Sequence, residues 1–341
     1  MKRIVFWALP LLLIGALTTQ GFAQECKPDP KWKGMEYEDY MGVYNEKDNA
    51  KKASGAEKYF VDHKDADPIA LTQIYTMMLL SYANGGNWAK TLDTVERANL
   101  AVCLTDAEKK RNTQIGLLAA TNLKNNAKTI EYAEKVLKDD PKNLNALVTL
   151  SGVLSATMPT AAGPAQTTQI ARTLDITKQA LAVPKPADVQ DAQWNQIQVQ
   201  LRETSALMLL NQMKYPDSIA EAQAALKINA KDSYAWYLIG LNHKASLADL
   251  IKKYRALLDK YNENRTTADQ IALDEMKTAY QVAEKIASDK TDETLDAFAR
   301  SVAAGGPSAT PAREELQKLF TGTPDELNRL IEEKKKTLTG N

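Results

Sequence analysis

The chain has 341 residues, with 43 basic and 43 acidic residues and a formal net charge of +0. A balanced charge argues against nucleic acid and anionic membranes as electrostatically driven partners, because both need a concentrated basic face. Few glycines and abundant Ala, Leu, Lys, Glu and Gln indicate helix throughout. We therefore expect an all-α chain, long enough for one extended array or about two globular domains.

Residues 1–23 have the layout of a cleaved export signal. Lys2 and Arg3 form a basic start, residues 4–17 an apolar core and residues 18–23 a polar end that predicts cleavage after Ala23. The apolar core is short for a membrane span of about 20 residues, which makes an uncleaved anchor the weaker alternative. A lipid-anchored Cys26 is weaker still, because Gln24 and Glu25 precede it where small residues are required.

The mature chain is therefore expected to be exported. We predict a periplasmic location, with secretion or envelope association as alternatives. Removing Lys2 and Arg3 leaves 41 basic and 43 acidic residues, a net charge of −2. No second long apolar run follows, so we expect no integral membrane segment after removal of the signal.

Cys26 and Cys103 would enter an oxidising compartment, where a single disulfide between them could form. The alternative is that they never meet, with Cys103 packing as a small apolar residue and Cys26 lying in a mobile tail. We favour this second interpretation.

The remaining chain divides into an extended lead-in (24–35), a region of helical hairpins (36–262) and a C-terminal helical region (263–341). The second hairpin has the clearest pattern in the N-terminal half. Its first helix carries apolar residues at helical spacing, Asn84 to Asn87 form the turn, and Trp88 begins the apolar face of the return helix. Asp67 and Pro68 mark its start as a cap and a first-turn residue.

Three further hairpins are predicted at 106–140, 144–184 and 188–229. In the fourth, the segment Met158–Pro164 is longer than the hairpin needs, and we interpret it as an insertion or as a binding element. A sixth hairpin begins at Trp236, but the pattern degrades after Leu247. We expect its return helix at about 271–287, and short helices at 292–303, 312–320 and 324–337, with a break at residues 305–308.

The offsets of aromatic and small residues resemble the tetratricopeptide repeat (TPR) family, whose helix–turn–helix unit has a period of about 34 residues. Trp236 and Gly240 match its first helix, and Ser218, Ala222 and Ala225 approximately match its second. The resemblance implies a right-handed superhelical solenoid of hairpins, ending in a polar C-terminal helical cap. It also implies binding of a protein or extended peptide in a concave groove lined by first helices.

Candidates for chemistry are few. The sequence has two histidines, His63 and His243, and lacks a Gly-rich phosphate loop, a His-Glu-x-x-His motif and a Gly-x-Ser-x-Gly turn. His243 is interpreted as a packing or groove residue. The run Asp62–Asp67 lacks the Gly and the distal Glu of a calcium loop, so we expect helix capping there. We therefore predict no enzyme activity, no metal and no cofactor.

If the TPR geometry holds, first-helix side chains not used for packing face the groove. The partner-binding candidates are Gln73, Thr76, Asn84, Asn211, Tyr234, Tyr237 and Lys244, with Leu80, Thr113, Leu117, Leu210 and Leu241 beside them. The two tyrosines are suited to burying an apolar anchor while keeping a hydrogen bond. The alternative is that these residues are ordinary exposed positions or pack on the C-terminal helices.

We predict a non-catalytic protein- or peptide-binding scaffold, of undetermined oligomeric state, outside the cytosol. The alternative is a glycan- or cell-wall-associated binding module of the envelope. That alternative requires several exposed tryptophans on one face, whereas Trp88, Trp194 and Trp236 are interpreted as packing residues and only Trp32 as exposed.

Overall fold

The computed structural model describes Cys26 and residues 33–339 apart from Asp188. The predicted export signal and Trp32 lie outside the described residues. Every regular element in the described ranges is helical, comprising fourteen α-helices and one 3₁₀ turn (Ala98–Leu100). The predicted fold class, an all-α array of TPR-like helical hairpins, is confirmed.

Capping residues and apolar stretches alternate along the sequence and determine where the helices begin and end. They are α1 (Glu36–Asn45), α2 (Asn49–Asp62), α3 (Pro68–Asn84), α4 (Trp88–Glu96), α5 (Asp106–Asn122), α6 (Asn126–Asp139), α7 (Leu144–Ala156), α8 (Pro164–Ala182), α9 (Asp191–Asn211), α10 (Tyr215–Ile228), α11 (Ser233–Asn264), α12 (Gln270–Ala304), α13 (Ala309–Leu319) and α14 (Pro324–Thr339). Side-chain caps fix many of the starts. For example, Asp48, Asn87 and Asn125 each accept a hydrogen bond from a backbone N–H of the helix that follows.

The described chain forms two compact units, one ending at Lys109 and one beginning at Lys110. The N-terminal unit contains α1 to α4 and the 3₁₀ turn. Its core is built on α2 and α3, where Tyr59, Ile74, Tyr75, Met78 and Leu79 are almost completely buried. Within this unit, the second helix of the first hairpin and the first helix of the second therefore bury their apolar faces against each other, as in helical repeats.

A disulfide joins Cys26 to Cys103 in the N-terminal unit, with a Cα–Cα distance of 5.6 Å. Our expectation that the two cysteines never meet was therefore wrong. The backbone N–H of Cys103 donates a hydrogen bond to Thr72 Oγ1 at 3.2 Å, which holds this segment against α3. The sequence pattern predicts α3, but it does not indicate that Cys26 lies beside Cys103.

In the C-terminal unit, α9, α10 and α11 pack closely against one another through small and polar residues. Ser218, Ala222 and Ala225 of α10 are fully buried, as predicted for close helix contacts. Ser218 Oγ donates to Ala206 O at 2.6 Å and accepts from Asn242 Nδ2 at 2.8 Å. These bonds satisfy polar atoms that would otherwise be costly to bury.

Two glycines allow especially close approach in this unit. A Cβ on Gly116 would lie 2.6 Å from Tyr132 Cε1, so the Tyr132 ring packs directly on the backbone of α5. A Cβ on Gly240 would lie 2.6 Å from two carbons of the Phe298 ring. The predicted packing role of Gly240 is confirmed, although its neighbour belongs to α12.

The α7–α8 connection is the long segment predicted between residues 158 and 164. It is tied to the second helix of its hairpin, because Gln166 Nε2 donates to Pro159 O at 3.0 Å. Gln169 Nε2 also donates to Leu154 O at 2.6 Å. The loop is therefore held by hydrogen bonds to α8.

The last hairpin differs from the prediction. The return helix expected at 271–287 and the short helix expected at 292–303 form one continuous helix, α12. In the segment between them, polar side chains bond within the helix. Lys285 Nζ lies 2.7 Å from Asp289 Oδ2, and the Thr291 hydroxyl donates to the carbonyl of Ala287 one turn earlier. Likewise, α11 continues past Leu247 to Asn264, so the boundary placed between residues 262 and 263 falls near its end.

The C-terminal helices form a separate apolar cluster on α12. Its buried members are Phe298, Ala299, Ala312, Leu316, Leu327 and Ile331. The break before α13 is made by Gly305 and Gly306, whose φ angles of 80° and 75° suit glycine. On α14 the remaining positions are largely exposed, as expected of a capping helix.

Cys26→Ser/Cys103→Ser should destabilise the N-terminal unit by about 2–5 kcal/mol, because the disulfide closes a long loop in the unfolded chain. The bond spans 77 residues of sequence. Hydrogen exchange measured peptide by peptide would show faster exchange in α2 and α3 than in α9 and α10. Reduction of the wild-type chain should reproduce the effect, and unchanged exchange after reduction would contradict it.

Gly240→Ala should destabilise the C-terminal unit by about 1–3 kcal/mol, because the new methyl group overpacks against Phe298. Gly152→Ala is the matched control. The nearest atom to a Cβ at Gly152, outside the backbone of its own helix, would be Gln200 Nε2 at 4.0 Å. That control should be neutral or slightly stabilising, as for other helix-interior glycines. Urea unfolding followed by circular dichroism separates the two outcomes, and equal midpoints for both variants would contradict the packing argument.

Candidate functional site

The N-terminal unit contains an open cleft of about 870 Å³. It lies between the end of α2, the α2–α3 connection, the start of α3 and the segment that follows α4. Its lining residues are Glu57, Phe60, Val61, Lys64, Asp65, Ala66, Pro68, Leu71, Arg97, Leu100 and Val102. The cleft therefore combines apolar walls with charged groups.

Local sequence features shape one wall of this cleft. The α2–α3 connection is fixed by Asp67, whose side chain accepts a hydrogen bond from the N–H of Ile69 at 2.9 Å. The predicted capping role of Asp67 is thereby confirmed, and Pro68 occupies the first turn of α3.

The opposite wall is fixed by the disulfide. Val102 directly precedes Cys103, so it is held in place where that residue is tied to Cys26. Val61 and Val102 remain 65% and 61% exposed. Apolar side chains this exposed beside a fixed cleft offer contact area to a partner.

The charged groups of the cleft differ in how far they are already paired. Glu57 lies 3.0 Å from Lys90 Nζ. Burial acts to raise the pKa of Glu57, but hydrogen bonds from Tyr82 and Lys90 outweigh it and leave that pKa lowered. Arg97 pairs with Asp93 at 3.6 Å, and both side chains are exposed. Such an ion pair is weak, so Arg97 can exchange Asp93 for another carboxylate at little cost. Lys64 and Arg97 thus give the cleft two cationic groups, and Glu57 and Asp65 give it two carboxylates.

The run Asp62–Asp67, considered above as a metal cluster, forms other contacts. His63 Nε2 lies 2.8 Å from Asp39 Oδ2, and Asp67 caps α3. In the part of the chain that the structure describes, no three His, Cys, Asp or Glu side chains are grouped to hold a metal ion.

The groove candidates on α3 do not line the cleft. Gln73 and Thr76 are half-buried, and Asn84 is exposed at the end of the helix. On α5, Leu117 is only 2% exposed, so its predicted position in the groove was wrong. Leu117 packs inward because it lies one residue from Gly116, on the buried side of α5.

The groove candidates of α11 contact the C-terminal helices. The Tyr237 ring lies 5.9 Å from the Phe298 ring, Leu241 packs on the same apolar cluster, and Lys244 forms an ion pair with Glu315. These contacts fit the alternative that such positions pack on the C-terminal helices. Tyr234 is half-buried, and Asn211 is exposed at the end of α9. Binding of a partner by these residues stays a prediction.

The sequence patterns missed Glu203, a half-buried carboxyl group close to the groove candidate Tyr234. Burial, followed by a hydrogen bond and charge repulsion from Asp232, raises the pKa of Glu203 to about 9. Asp232 caps α11 by accepting from the N–H groups of Tyr234 and Ala235, each at 3.0 Å. With a pKa of about 9, Glu203 keeps its proton at neutral pH and donates it in the hydrogen bond with Asp232.

Tyr234 lies beside this carboxyl pair. Burial, then the charges of Glu203 and Tyr237, raise its pKa to about 12. Its phenol is therefore neutral at physiological pH. The capping role of Asp232 could have been read from its place before an apolar stretch, but the partner Glu203 is 29 residues earlier and leaves no sequence signal.

His243 is half-buried between α11 and α12. Its Nδ1 lies 3.2 Å from Lys290 Nζ and 3.4 Å from Glu293 Oε2. Burial and then the positive charge of Lys290 lower its pKa, against a smaller opposing effect of Glu293. These contacts agree with the predicted packing role of His243.

Three tryptophans that bear on the glycan alternative are half-buried. These are Trp88, Trp194 and Trp236. Trp236 Nε1 donates to Ala230 O at 3.1 Å, and the Arg300 guanidinium lies 5.0 Å from the centre of its ring. Each of these three side chains is therefore partly covered by other residues of the chain.

The helical hairpins define a TPR-like helical-repeat fold, and its first unit contains the open cleft described above. No protein-family model and no curated protein match the chain. Among the described residues, no helix combines the length and apolar character needed to cross a bilayer.

Solved structures with partial similarity include two TPR proteins. One structure of MamA is 14% identical, with a TM-score of 0.37 over 51% of this chain and 86% of that one. The human IFIT1 dimer with m7Gppp-AAAA is 11% identical, with a TM-score of 0.32 over 89% of this chain and 66% of that one. Because both TM-scores are below 0.5, the TPR-like assignment rests on the hairpins described above.

Glu203→Gln should stabilise the C-terminal unit near neutral pH. The folded pKa of about 9 lies above the ordinary value of 4.5, so the wild type loses stability as pH rises between these values. The amide keeps the hydrogen-bond donor without an ionisable proton. We expect its thermal midpoint to exceed that of the wild type by a few degrees, at about 2–4 °C per kcal/mol.

The difference should shrink as pH falls towards about 4.5 and should be absent below that value, where the carboxyl group is protonated in both states. Glu221→Gln is the matched control, because Glu221 instead pairs with Arg202 at 3.1 Å and its removal should not stabilise. Calorimetry across this pH range makes the test, and a pH-independent difference would contradict the proposed protonation of Glu203.

Proposed function

We propose that the chain is an exported, non-catalytic scaffold that binds a protein or extended peptide in the cleft of its N-terminal unit. The observation that carries the proposal is the cleft itself, with two exposed valines, Val61 and Val102, on walls fixed by a helix cap and a disulfide. Pre-fixed walls lower the entropic cost of binding, because little of the site must be ordered.

The composition of the cleft favours a particular kind of ligand. Phe60, Leu71 and Leu100 supply apolar contacts that suit an aliphatic or aromatic anchor. Lys64 and Arg97 beside them suit an acidic residue close to that anchor. We therefore expect an extended segment with a bulky apolar side chain next to Asp or Glu. Its backbone would remain at the open side of the cleft.

Export is supported by two independent features. The first 23 residues have the order of charged, apolar and small residues typical of a cleaved signal. The disulfide between Cys26 and Cys103 belongs to the class of bonds that persist in oxidising compartments. A periplasmic location is the form of export that we propose.

The remaining groove candidates offer weaker binding surfaces, which are separate in the two units. In the N-terminal unit, Gln73, Thr76 and Asn84 of α3 are accessible to different degrees. In the C-terminal unit, Asn211 of α9 and Tyr234 of α11 are accessible. The near-neutral charge of the chain favours protein over nucleic acid as the partner. No exposed tryptophan among the described residues gives specific support to a glycan ligand.

A photo-crosslinking amino acid at Val102 should capture a specific partner from the periplasmic fraction of native cells. Lys64→Glu should reduce the yield of that adduct about tenfold, because it places an anion where an acidic ligand residue would bind. The same crosslinker at Leu118, which is exposed on α5, is the matched control. Mass spectrometry of the adducts reads out both positions.

Identical adducts from Val102 and Leu118 would show that the cleft has no special affinity, and would overturn the proposal. Alanine at Tyr234 and Tyr237 then measures any contribution of α11. Loss of capture with these changes, but not with Lys64→Glu, would move the binding surface from the cleft to α11.

A further inference from the structure

The Cys26–Cys103 disulfide joins two residues that the rest of the fold holds to different degrees. Cys26 is exposed and precedes the first helix, α1. Cys103 is half-buried, and its backbone N–H donates a hydrogen bond to Thr72 Oγ1 at 3.2 Å. A thiol in solution can therefore approach the bond from the Cys26 side, and accessible disulfides are the ones that exchange with thiols.

The stretch around Cys103 has little regular support besides this bond. Residues 101–105 lie between the 3₁₀ turn and α5 and form neither helix nor strand. Within this stretch, the N–H of Leu104 donates to Ala101 O at a long distance of 3.4 Å. The Val102 side chain is largely exposed and adds few contacts. Such segments are at the low end of local stability, so the disulfide carries much of the constraint on Val102.

The residues on either side of Val102 and Cys103 are anchored independently of the sulfur atoms. Ala101 and Leu104 are both buried in the core of the N-terminal unit. Their burial keeps the path of the chain when the disulfide is absent. Loss of the bond should therefore loosen Val102 and Cys103 locally, without detaching the whole segment.

Two successive hydrogen bonds connect Cys103 to the opposite wall of the cleft. The N–H of Cys103 donates to Thr72 Oγ1, and Thr72 Oγ1 in turn donates to Pro68 O at 2.7 Å. Pro68 lines the cleft at the start of α3, and Val102 lines it on the other side. A change at the cysteines thus reaches both walls.

We propose that the Cys26–Cys103 disulfide is a redox switch for the cleft. In the oxidised chain the walls are fixed before a partner arrives. In the reduced chain Val102 must be ordered on binding, and this cost lowers the affinity. The effect on binding rests on the proposed function, whereas the loosening of the wall requires no partner.

The switch reaction is thiol–disulfide exchange with an external thiol as the reductant. A thiolate attacks Cys26 Sγ, the bond to Cys103 breaks, and Cys103 leaves as a thiolate that takes up a proton. A second thiolate attacks the external sulfur of the mixed disulfide and releases Cys26, which also takes up a proton. Two external thiols are oxidised to one disulfide, and their two electrons pass to the two cysteines.

A redox titration tests the switch without any partner. The mature chain is equilibrated in buffers with different ratios of reduced to oxidised glutathione and no denaturant. Alkylation and mass spectrometry give the reduced fraction, and hydrogen exchange is followed in a peptide covering residues 100–105. Its exchange rate should rise at least about threefold with the reduced fraction, because the disulfide no longer restrains the wall. Reoxidation should restore the original rate.

Helix α6 (Asn126–Asp139), in the other unit, is the internal reference and should keep its exchange rate. Cys26→Ser/Cys103→Ser should show the fast rate at residues 100–105 in every buffer, and circular dichroism establishes that it keeps the helical fold. A disulfide that becomes reducible only after denaturation would overturn the proposal. So would a reduced chain whose exchange at residues 100–105 equals that of the oxidised chain.

The crosslinker at Val102 measures the effect on binding. Oxidised wild type and Cys26→Ser/Cys103→Ser are compared without reductant, so that the thiols of the partner are not altered. The adduct yield of the variant should be at least about threefold lower, because its wall must be ordered on binding. The Leu118 crosslinker should give the same yield in both chains.

The two proposals fail in different ways. If the oxidised chain gives no specific adduct, the proposed function is wrong, and the exchange rates at residues 100–105 still decide whether the wall responds to reduction. A specific adduct with equal yield from the oxidised chain and the double serine variant would overturn the switch, and would leave the proposed function intact.

Discussion

The Phe298 ring lies against the backbone of α11 at Gly240, and the arrangement of the C-terminal helices depends on this contact. Any side chain at position 240 would hold α12 away from α11. With glycine there, Phe298 becomes the centre of a cluster that also receives α13 and α14. The same approach brings α12 and α13 over Tyr237 and Lys244, the positions at which a TPR array would present its groove.

The hairpin boundaries could be predicted because the features that set them are local. Asp67, Asn87 and Asp232 each cap a helix through backbone N–H groups two or three residues ahead, so a short stretch of sequence is sufficient. The continuity of α12 could not be read in this way. The Ser-Asp-Lys-Thr run at residues 288–291 has the composition of a turn. In the fold, however, the Thr291 hydroxyl bonds within α12 and Lys290 contacts His243 of α11.

The parts of the candidate sites that were missed depend on long-range contacts. The disulfide requires the lead-in to return to Cys103, and the Glu203 proton requires α9 to lie beside the start of α11. The cover over Tyr237 comes from residues about sixty positions later in the chain. None of these pairs has a fixed spacing that a repeat pattern would encode. The function that we propose still requires a binding surface, and the cleft in the first unit now takes the place of the groove predicted from the repeat pattern.

The raised pKa of Glu203 affects the number of protons that the C-terminal unit takes up when it folds. The Glu203 carboxyl group is protonated in the folded chain and ionised in the unfolded chain at neutral pH, because its pKa rises to about 9 on burial. Folding of the C-terminal unit therefore takes up a proton from the solvent, close to one per molecule at this site. The proton is then a reactant of the folding equilibrium, and the measured enthalpy includes the ionisation heat of the buffer that supplies it. In this respect the native state is a complex of the chain with one specifically placed hydrogen ion.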